Sequence, residues 1–338
     1  MLNTASQIQQ QVQLAAYNSF GVPAMAAYFA DVRSLGELRR ALEFARDKNL
    51  SVQILGGGTN VLFVKDYAGL ICRMNIQGIS YLPESGMVQA SCGENWHEFV
   101  SYCMNNSLYG YENLALIPGS VGAAPIQNIG AYGVELAQFL VEIEVLDRER
   151  DAVRNFSRAE CEFGYRGSVF KQQSSHRYVV LSASFKLSAH NLPNLDYQAL
   201  KAALPEPGVT PQQVYDTVCR IRRSRLPDPA ELGNAGSFFK NPVVSRDKYD
   251  ALQSEHGEVP SYATEDEHLV KIPAAWLLDR AGWKGRRRGP AGVYERHALV
   301  LVNTGEARGE DILLLAQEMS SSILSQFGIG LVPEVQLI

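Results

Sequence analysis

Apolar residues recur along this chain in short runs whose period switches between that of a helix and that of a strand. Leu35, Leu38, Leu42 and Ala45 return every three or four positions, the spacing of one helix face. Ser34 and Glu37 at its start form a capping-box pattern, and Lys48 near its end suits the helix dipole. Trp96, Phe99, Val100, Cys103 and Met104 make a second such face. A third helix is expected from Thr210-Pro211, with Thr210 as N-cap, Pro211 in the first turn and Gln213 in the capping-box position. It ends in Arg220-Ile-Arg-Arg-Ser-Arg225. Residues 273–280 and a long face of Ile312, Leu315, Ala316, Met319 and Ile323 add two more helices. Strand-like runs occupy 52–55, 61–64, 141–146, 178–185 and the tail 331–338, and the Pro-rich stretch 204–208 reads as a boundary. The mixture predicts an α+β protein with a separate C-terminal region, without repeats or low-complexity tracts.

Two glycine-rich segments break these patterns. Gly56-Gly-Gly-Thr-Asn60 joins two strands, so it is neither a Rossmann fingerprint nor a P-loop. Pro118-Gly-Ser-Val-Gly-Ala-Ala-Pro-Ile-Gln-Asn-Ile-Gly-Ala-Tyr-Gly133 carries no charge at all. An exposed linker would be charged, and a buried strand would not hold so many glycines. The segment reads as loop backbone lying against something large, flat and partly anionic, since glycine permits close approach and free N–H groups can cradle phosphate oxygens. Thr59, Asn60, Ser120, Gln127 and Asn128 add hydrogen-bonding groups. The first loop taken alone reads equally well as an unrelated turn.

Composition narrows the classes. With 46% hydrophobic and 20% charged residues over 338 positions, the chain is an ordinary globular protein with room for two or three domains. A net charge of −5 argues against broad nucleic-acid binding but leaves room for local basic pockets. The N-terminal residues are polar and no apolar run approaches a membrane span, so no membrane association and a cytoplasmic location are expected. Cys72, Cys92, Cys103, Cys161 and Cys219 form no CxxC pair and are read as buried reduced thiols. The histidines show no metal-ligand spacing, and no metal site is expected.

Single residues stand out with two readings each. Arg166, among aromatics and glycines in Phe163-Gly-Tyr-Arg-Gly-Ser-Val-Phe170, would meet a carboxylate or phosphate, or pair with Glu160 or Glu162. Ser237, between Gly236 and two phenylalanines, is a structural loop serine or a proton donor, and no GxSxG elbow surrounds it. Glu334 in the apolar tail is an outward edge residue or a buried acid. Period-2 alternation would put Val332, Glu334 and Gln336 on one face and Leu331, Pro333, Val335 and Leu337 on the other. The arginines at 220–225 read as a solvated helix end or as a diphosphate clamp, and Arg286-Arg-Arg288 reads as solvated.

Taken in order, Gly-Gly-Gly-Thr-Asn-Val-Leu from Gly56, the stretch Pro118–Gly133, Tyr-Arg-Gly-Ser-Val-Phe-Lys from Tyr165, Gly-Ser-Phe-Phe-Lys-Asn-Pro from Gly236, and Pro-Glu-Val from Pro333 occur together. In that order and spacing, nearly the whole chain resembles the UDP-N-acetylenolpyruvoylglucosamine reductases. The resemblance implies an FAD-binding domain of the vanillyl-alcohol-oxidase type over residues 1–208, in subdomains of about 1–75 and 76–208. It further implies a C-terminal α+β substrate-binding domain over 209–325 and a tail, 326–338, that carries Glu334 back to the active site. The implied reaction is NADPH-dependent reduction of UDP-N-acetylglucosamine enolpyruvate to UDP-N-acetylmuramate, by a monomer holding FAD non-covalently, in peptidoglycan precursor synthesis.

Carried over by position, Arg166 matches the family's active-site arginine, Ser237 its proton donor and Glu334 its acidic catalytic residue. Tyr197 resembles the substrate-binding tyrosine of the subgroup with an extra loop. Arg225 stands where a basic substrate contact, usually Lys, is expected, which keeps the charge but changes the geometry. Asn241 matches a substrate contact, and His297 falls where members place Gln or His. The FAD cradle would comprise Gly56, Gly57, Gly58, Thr59 and Asn60, then Pro118, Gly119, Ser120, Gly122, Ala123, Gln127, Asn128, Gly130, Ala131 and Tyr132, with Val180. Two rivals make different demands. A flavin oxidase of the same fold often tethers its flavin through His or Cys, and neither glycine loop has one. A non-catalytic sensor would lack one of Arg166, Ser237 and Glu334, and all three are present.

Overall fold

The first N–H groups of a helix have no intrahelical acceptor, and the local sequence supplies one at several of these starts. The computed structural model describes residues 8–171, 177–204 and 208–338. In it Ser34 caps helix Leu35–Asp47 by accepting from the Glu37 N–H at 3.2 Å. The other half of the expected box is displaced by one residue: the Glu37 carboxylate takes the Arg33 N–H at 2.7 Å. Asn95 caps helix Trp96–Asn105. Thr210 and Gln213 exchange both bonds of a capping box at the start of helix Pro211–Arg225. Within the expected boundary at 204–208, residues 205–207 lie outside the described residues.

The chain divides into two units. The first contains 26–57 and 68–222 with the beginning of the N-terminal strand; the second contains Gln13–Met25, Gly58–Tyr67 and Arg223–Ile338. Two sheets build the first unit. One has the order Gln9–Gln13, Met25–Val32, Tyr67–Met74, Val52–Leu55, its last pair parallel. The other is antiparallel, in the order Ala152–Ser157, Leu140–Asp147, Tyr178–Lys186, Met87–Ser91, Ile79–Leu82. The two runs expected at 141–146 and 178–185 are thus neighbours, with Ile143 opposite Ala183.

Helix Trp96–Asn105 buries all five residues of its apolar face. Phe185, fully buried, receives Phe99 at 5.1 Å, Tyr111 at 5.4 Å and Trp96 at 6.2 Å between ring centroids. The Trp96 indole keeps its polar tip satisfied by donating to the Leu114 carbonyl at 3.0 Å. All five cysteines are buried and free, and burial pushes the Cys92 thiol up to about 12. Asp147, fully buried, is held below the usual carboxylate range by two bonds from Arg177, at 3.0 and 2.7 Å.

In the second unit a four-stranded sheet has the order Asn234–Ser237, Val300–Asn303, Ala291–Val293, Arg287–Arg288. Helix Gly309–Phe327 buries Ile312, Leu315, Ala316, Met319 and Ile323, as its spacing predicts. Helix Ala274–Arg280 follows Pro273. Arg288 pairs with Glu318 at 2.6 Å and Arg286 stacks on Trp283, as surface arginines do.

The tail departs from expectation. Only Gln336–Leu337 forms a ladder, parallel to Val61–Leu62. Leu331 and Val335 are buried, whereas Pro333 and Leu337 are exposed, so the two-face alternation fails. Pro333 lacks the N–H a continuous ladder needs, and it makes only an isolated bridge to Phe239. Among the described residues no helix is long and apolar enough to cross a membrane.

Phe185→Ala removes the ring that three aromatics pack against and should cost about 3–5 kcal/mol in urea unfolding. A loss under about 1 kcal/mol would mean that the sheet and helix do not depend on this cluster.

Candidate active site

Gly56 and Gly57 pass directly against Gly119 and Ser120 where the two glycine segments meet. A Cβ on Gly56 would fall 2.6 Å from Ser120 Oγ, and one on Gly57 would fall 3.1 Å from Gly119 Cα. The loops are therefore one structure, and the reading of the first as an unrelated turn falls away. The far edge of the bed is zipped to the chain leading into helix Trp96–Asn105. Trp96 N–H donates to Gly119 at 3.0 Å, Val121 to Glu94 at 2.9 Å, and Gly122 to Cys92 at 3.0 Å. A Cβ on Gly122 would stand 2.4 Å from Cys92 Cβ.

Asn128 is buried in a left-handed conformation, donating to Glu135 at 2.8 Å and accepting from Ala137 at 3.1 Å. Its side chain holds the bed's own shape. Val180 likewise packs in the core, opposite Val145. Ser120 Oγ is buried and has no hydrogen-bond partner among the described residues. An uncharged surface of glycine backbone with one such hydroxyl fits the diphosphate and ring edge of a flavin nucleotide.

Three further residues close on the bed within the first unit. Arg166 Nη2 donates to the Gly130 carbonyl at 2.7 Å. Glu160, the expected alternative partner, instead binds Ser157 at 2.9 and 2.6 Å, and Glu162 is exposed. Tyr197, preceding helix Gln198–Ala203, sets its ring edge to face against Tyr132 at 5.2 Å.

Arg222 is the residue the sequence reading missed. Helix Pro211–Arg225 is fastened to helix Trp96–Asn105 by Tyr215, which bonds Ser101 at 2.8 Å and stacks on His97. Val214 and Val218 face inward, and Arg222 lies one turn further along that face. Its Nε donates to the Leu116 carbonyl at 3.2 Å and its side chain also bonds Tyr132. Burial lowers its pKa, and Tyr132 opposes that shift. The spacing 214, 218, 222 was the available signal, and four arginines in one run concealed it.

Leu116, Asn128, Tyr132 and Arg166 all have positive φ, at 57°, 44°, 50° and 53°. For Leu and Tyr this conformation is strained, and it persists only where the surroundings over-determine it. The carbonyls of three of the four are each held by a side chain: Leu116 by Arg222, Tyr132 by Asn113 and Arg166 by Lys171.

In the second unit the segment 237–240 lies between 299–300 and the tail. Phe238 N–H donates to Leu299 at 2.9 Å, Glu334 N–H to Phe238 at 2.7 Å, and Lys240 N–H to Val332 at 2.9 Å. The tail segment carrying Glu334 thereby runs beside the segment carrying Ser237, both residues being half-buried, and the Asn60 amide reaches the Glu334 carbonyl at 3.3 Å. Asn241 Oδ1 accepts from Ala274 at 2.9 Å, capping the following helix. His297 Nδ1 accepts from Leu299 at 3.3 Å, so the neutral ring carries its proton on Nε2. Burial, then the charges of Arg225 and Lys284, hold the His297 pKa below its ordinary 6.5, while Asp279 opposes them. Arg225 itself is exposed at the helix end.

A family model described as an FAD binding domain matches residues 26–155, and one described as the UDP-N-acetylenolpyruvoylglucosamine reductase C-terminal domain matches residues 228–338. The UDP-N-acetylenolpyruvoylglucosamine reductase of Pseudomonas putida is 44% identical over 337 residues, covering 98% of this chain and 99% of its own. The chain belongs to the UDP-N-acetylenolpyruvoylglucosamine reductase family. The enzyme of that name from Burkholderia multivorans is also 44% identical, with 95% of this chain and 94% of its own covered. The crystal structure of the reductase from Thermus caldophilus shares the fold, at a TM-score of 0.68 and 22% identity over 98% of both chains. As a reductase of this family the protein is an FAD-dependent oxidoreductase. Its α+β fold joins a flavin domain of the vanillyl-alcohol-oxidase type to a C-terminal substrate-binding domain.

Two outcomes follow from the geometry. Gly122→Ala should weaken FAD retention roughly tenfold, because overpacking against Cys92 costs on the order of 1–3 kcal/mol. The ratio of absorbance at the flavin band to that of protein reads this, and an unchanged ratio would contradict the close approach. His297 binds a proton more readily unfolded than folded, so the stability its neutral ring contributes is complete above the ordinary pKa and lost as pH falls through the folded value. His297→Gln should therefore lessen the acid-side drop of the thermal midpoint below pH 6.5. An identical drop in both proteins would contradict it.

Proposed function

We propose that this reductase converts UDP-N-acetylglucosamine enolpyruvate to UDP-N-acetylmuramate with NADPH, a step in peptidoglycan precursor synthesis, using non-covalently held FAD. The observation that supports the reading is the backbone pairing of Glu334 with Phe238 at 2.7 Å, which brings the tail alongside the segment that carries Ser237. On this reading residues 209–325 receive the substrate, and the tail 326–338 serves to return Glu334 to Ser237.

FAD, held by the backbone of Gly56–Gly57 and of 118–133 with Ser120, would supply the redox chemistry that passes hydride from NADPH to the methylene carbon of the enolpyruvyl ether. Negative charge then grows on the adjacent carbon and spreads into the substrate carboxylate as an enolate. Arg166 neutralises that charge, and Glu334 in its protonated form donates to the same carboxylate, an oxyanion-type role. A serine hydroxyl is a weak acid, yet a carbanion beside a carboxylate is basic enough to take the Ser237 proton. Delivery from one side gives the lactyl ether a single configuration, and Ser237 recovers its proton from solvent. Arg225 suits the diphosphate of the nucleotide, and Tyr197, Asn241 and His297 supply neutral contacts. A neutral His297, with its proton on Nε2, serves as a donor.

Stopped-flow spectroscopy of the holoenzyme tests the assignment. In Ser237→Ala, flavin bleaching by NADPH should stay near the parent rate, while reoxidation by the enolpyruvyl nucleotide slows by about 10²–10⁴-fold. Equal losses in both half-reactions would remove Ser237 from the proton transfer.

A further inference from the structure

The segment Tyr109–Asn113 holds the loop leading to Tyr197 at three points. Tyr109 N–H donates to the Ser188 carbonyl at 3.2 Å, and the two residues form an isolated bridge. Asn191 donates its side-chain amide to the Tyr109 carbonyl. Asn113 Nδ2 donates to the Asn194 carbonyl at 3.0 Å.

That same Nδ2 also donates at 2.8 Å to the carbonyl of Tyr132, near the end of the glycine bed. Both partners are carbonyl oxygens, so chemistry fixes which way the amide faces: only its nitrogen can meet them. Asn113 is fully buried, and its Oδ1 has no hydrogen-bond partner among the described residues. A buried amide left half-satisfied is unfavourable, and an apolar residue of similar shape would avoid that cost. What such a residue could not do is join the two carbonyls. The junction is tight as well, since a Cβ on Gly133 would stand 2.8 Å from Asn194 Oδ1. The rings of Tyr132 and Tyr197 also meet.

We propose that Asn113 is a positioning residue for substrate binding: one buried amide latches the Tyr197 loop to the strained end of the flavin bed. Its two hydrogen bonds fix Asn194 relative to Tyr132, and through them the ring of Tyr197. The inference rests on the substrate-contact role of Tyr197 proposed above. Asn113→Leu keeps the branching at Cγ and leaves both carbonyls without their donor.

Steady-state and stopped-flow kinetics of the Asn113→Leu holoenzyme provide the test. The KM for UDP-N-acetylglucosamine enolpyruvate should rise roughly tenfold, with the flavin spectrum and the rate of bleaching by NADPH nearly unchanged. In a Tyr197→Ala background the same substitution should add less than about twofold, because the two residues act as one unit. A full additional tenfold there, or an equal slowing of bleaching, overturns the latch. Asn191→Ala breaks a less buried anchor and should give the same signature at smaller amplitude; it carries the test if Asn113→Leu fails to retain FAD. If Tyr197→Ala itself leaves KM unchanged, the substrate role of Tyr197 fails, and the latch is read by amide hydrogen exchange over residues 188–197. Faster exchange there in Asn113→Leu supports the latch, and parent-like exchange overturns it.

Discussion

Gly56 and Gly57 pass so close to Gly119 and Ser120 that neither Gly56 nor Gly57 has room for a side chain at the crossing. The flavin bed depends on that approach. It brings residues from distant parts of the first unit to one uncharged surface, and it buries the Ser120 hydroxyl, which has no hydrogen-bond partner among the described residues. Glycine here does more than make turns. Each missing side chain leaves the peptide N–H groups and carbonyls as the only chemistry a ligand can meet, and such groups bind a diphosphate without carrying a formal charge.

The conformational strain of the bed is balanced from beneath it. Leucine and tyrosine do not adopt positive φ without compensation, and at Leu116 and Tyr132 it comes from Arg222 and Asn113, which bond their carbonyls. Arg222 is an expensive group to bury, and its pKa falls accordingly, but Tyr132 and the Leu116 carbonyl offset part of the cost. Helix Pro211–Arg225 thus packs within the first unit through its inward face, while Arg225, at its end, is exposed.

Much of this was legible in the sequence, for identifiable reasons. Helix faces such as Trp96 to Met104 and Ile312 to Ile323 have full periods and flanking caps, and they form as written. The bed stood out because an uncharged, glycine-dense loop has few uses. The tail was misread because alternation assumes a continuous strand, and Pro333 interrupts one. An amide in a glycine loop suggests ligand binding, and the sequence gives no sign that the Asn128 side chain bonds Glu135 and Ala137, seven and nine positions on, because no helical or strand period links those positions. Asn113 gave no signal at all. Its meaning lies in two carbonyls, at 132 and 194, that only the fold brings together.

We propose that Ser237 and Glu334, on segments joined by the backbone pairing of the tail with Phe238, direct protonation of the reduced enolpyruvyl group. The most direct measurement is turnover in deuterium oxide with unlabelled NADPH, followed by NMR of the product. The account requires one solvent deuterium on the methine carbon of the lactyl ether, in a single configuration, with Ser237→Ala losing turnover and not merely stereochemistry. A methine of mixed configuration from the parent enzyme, or undiminished turnover without the Ser237 hydroxyl, would contradict it.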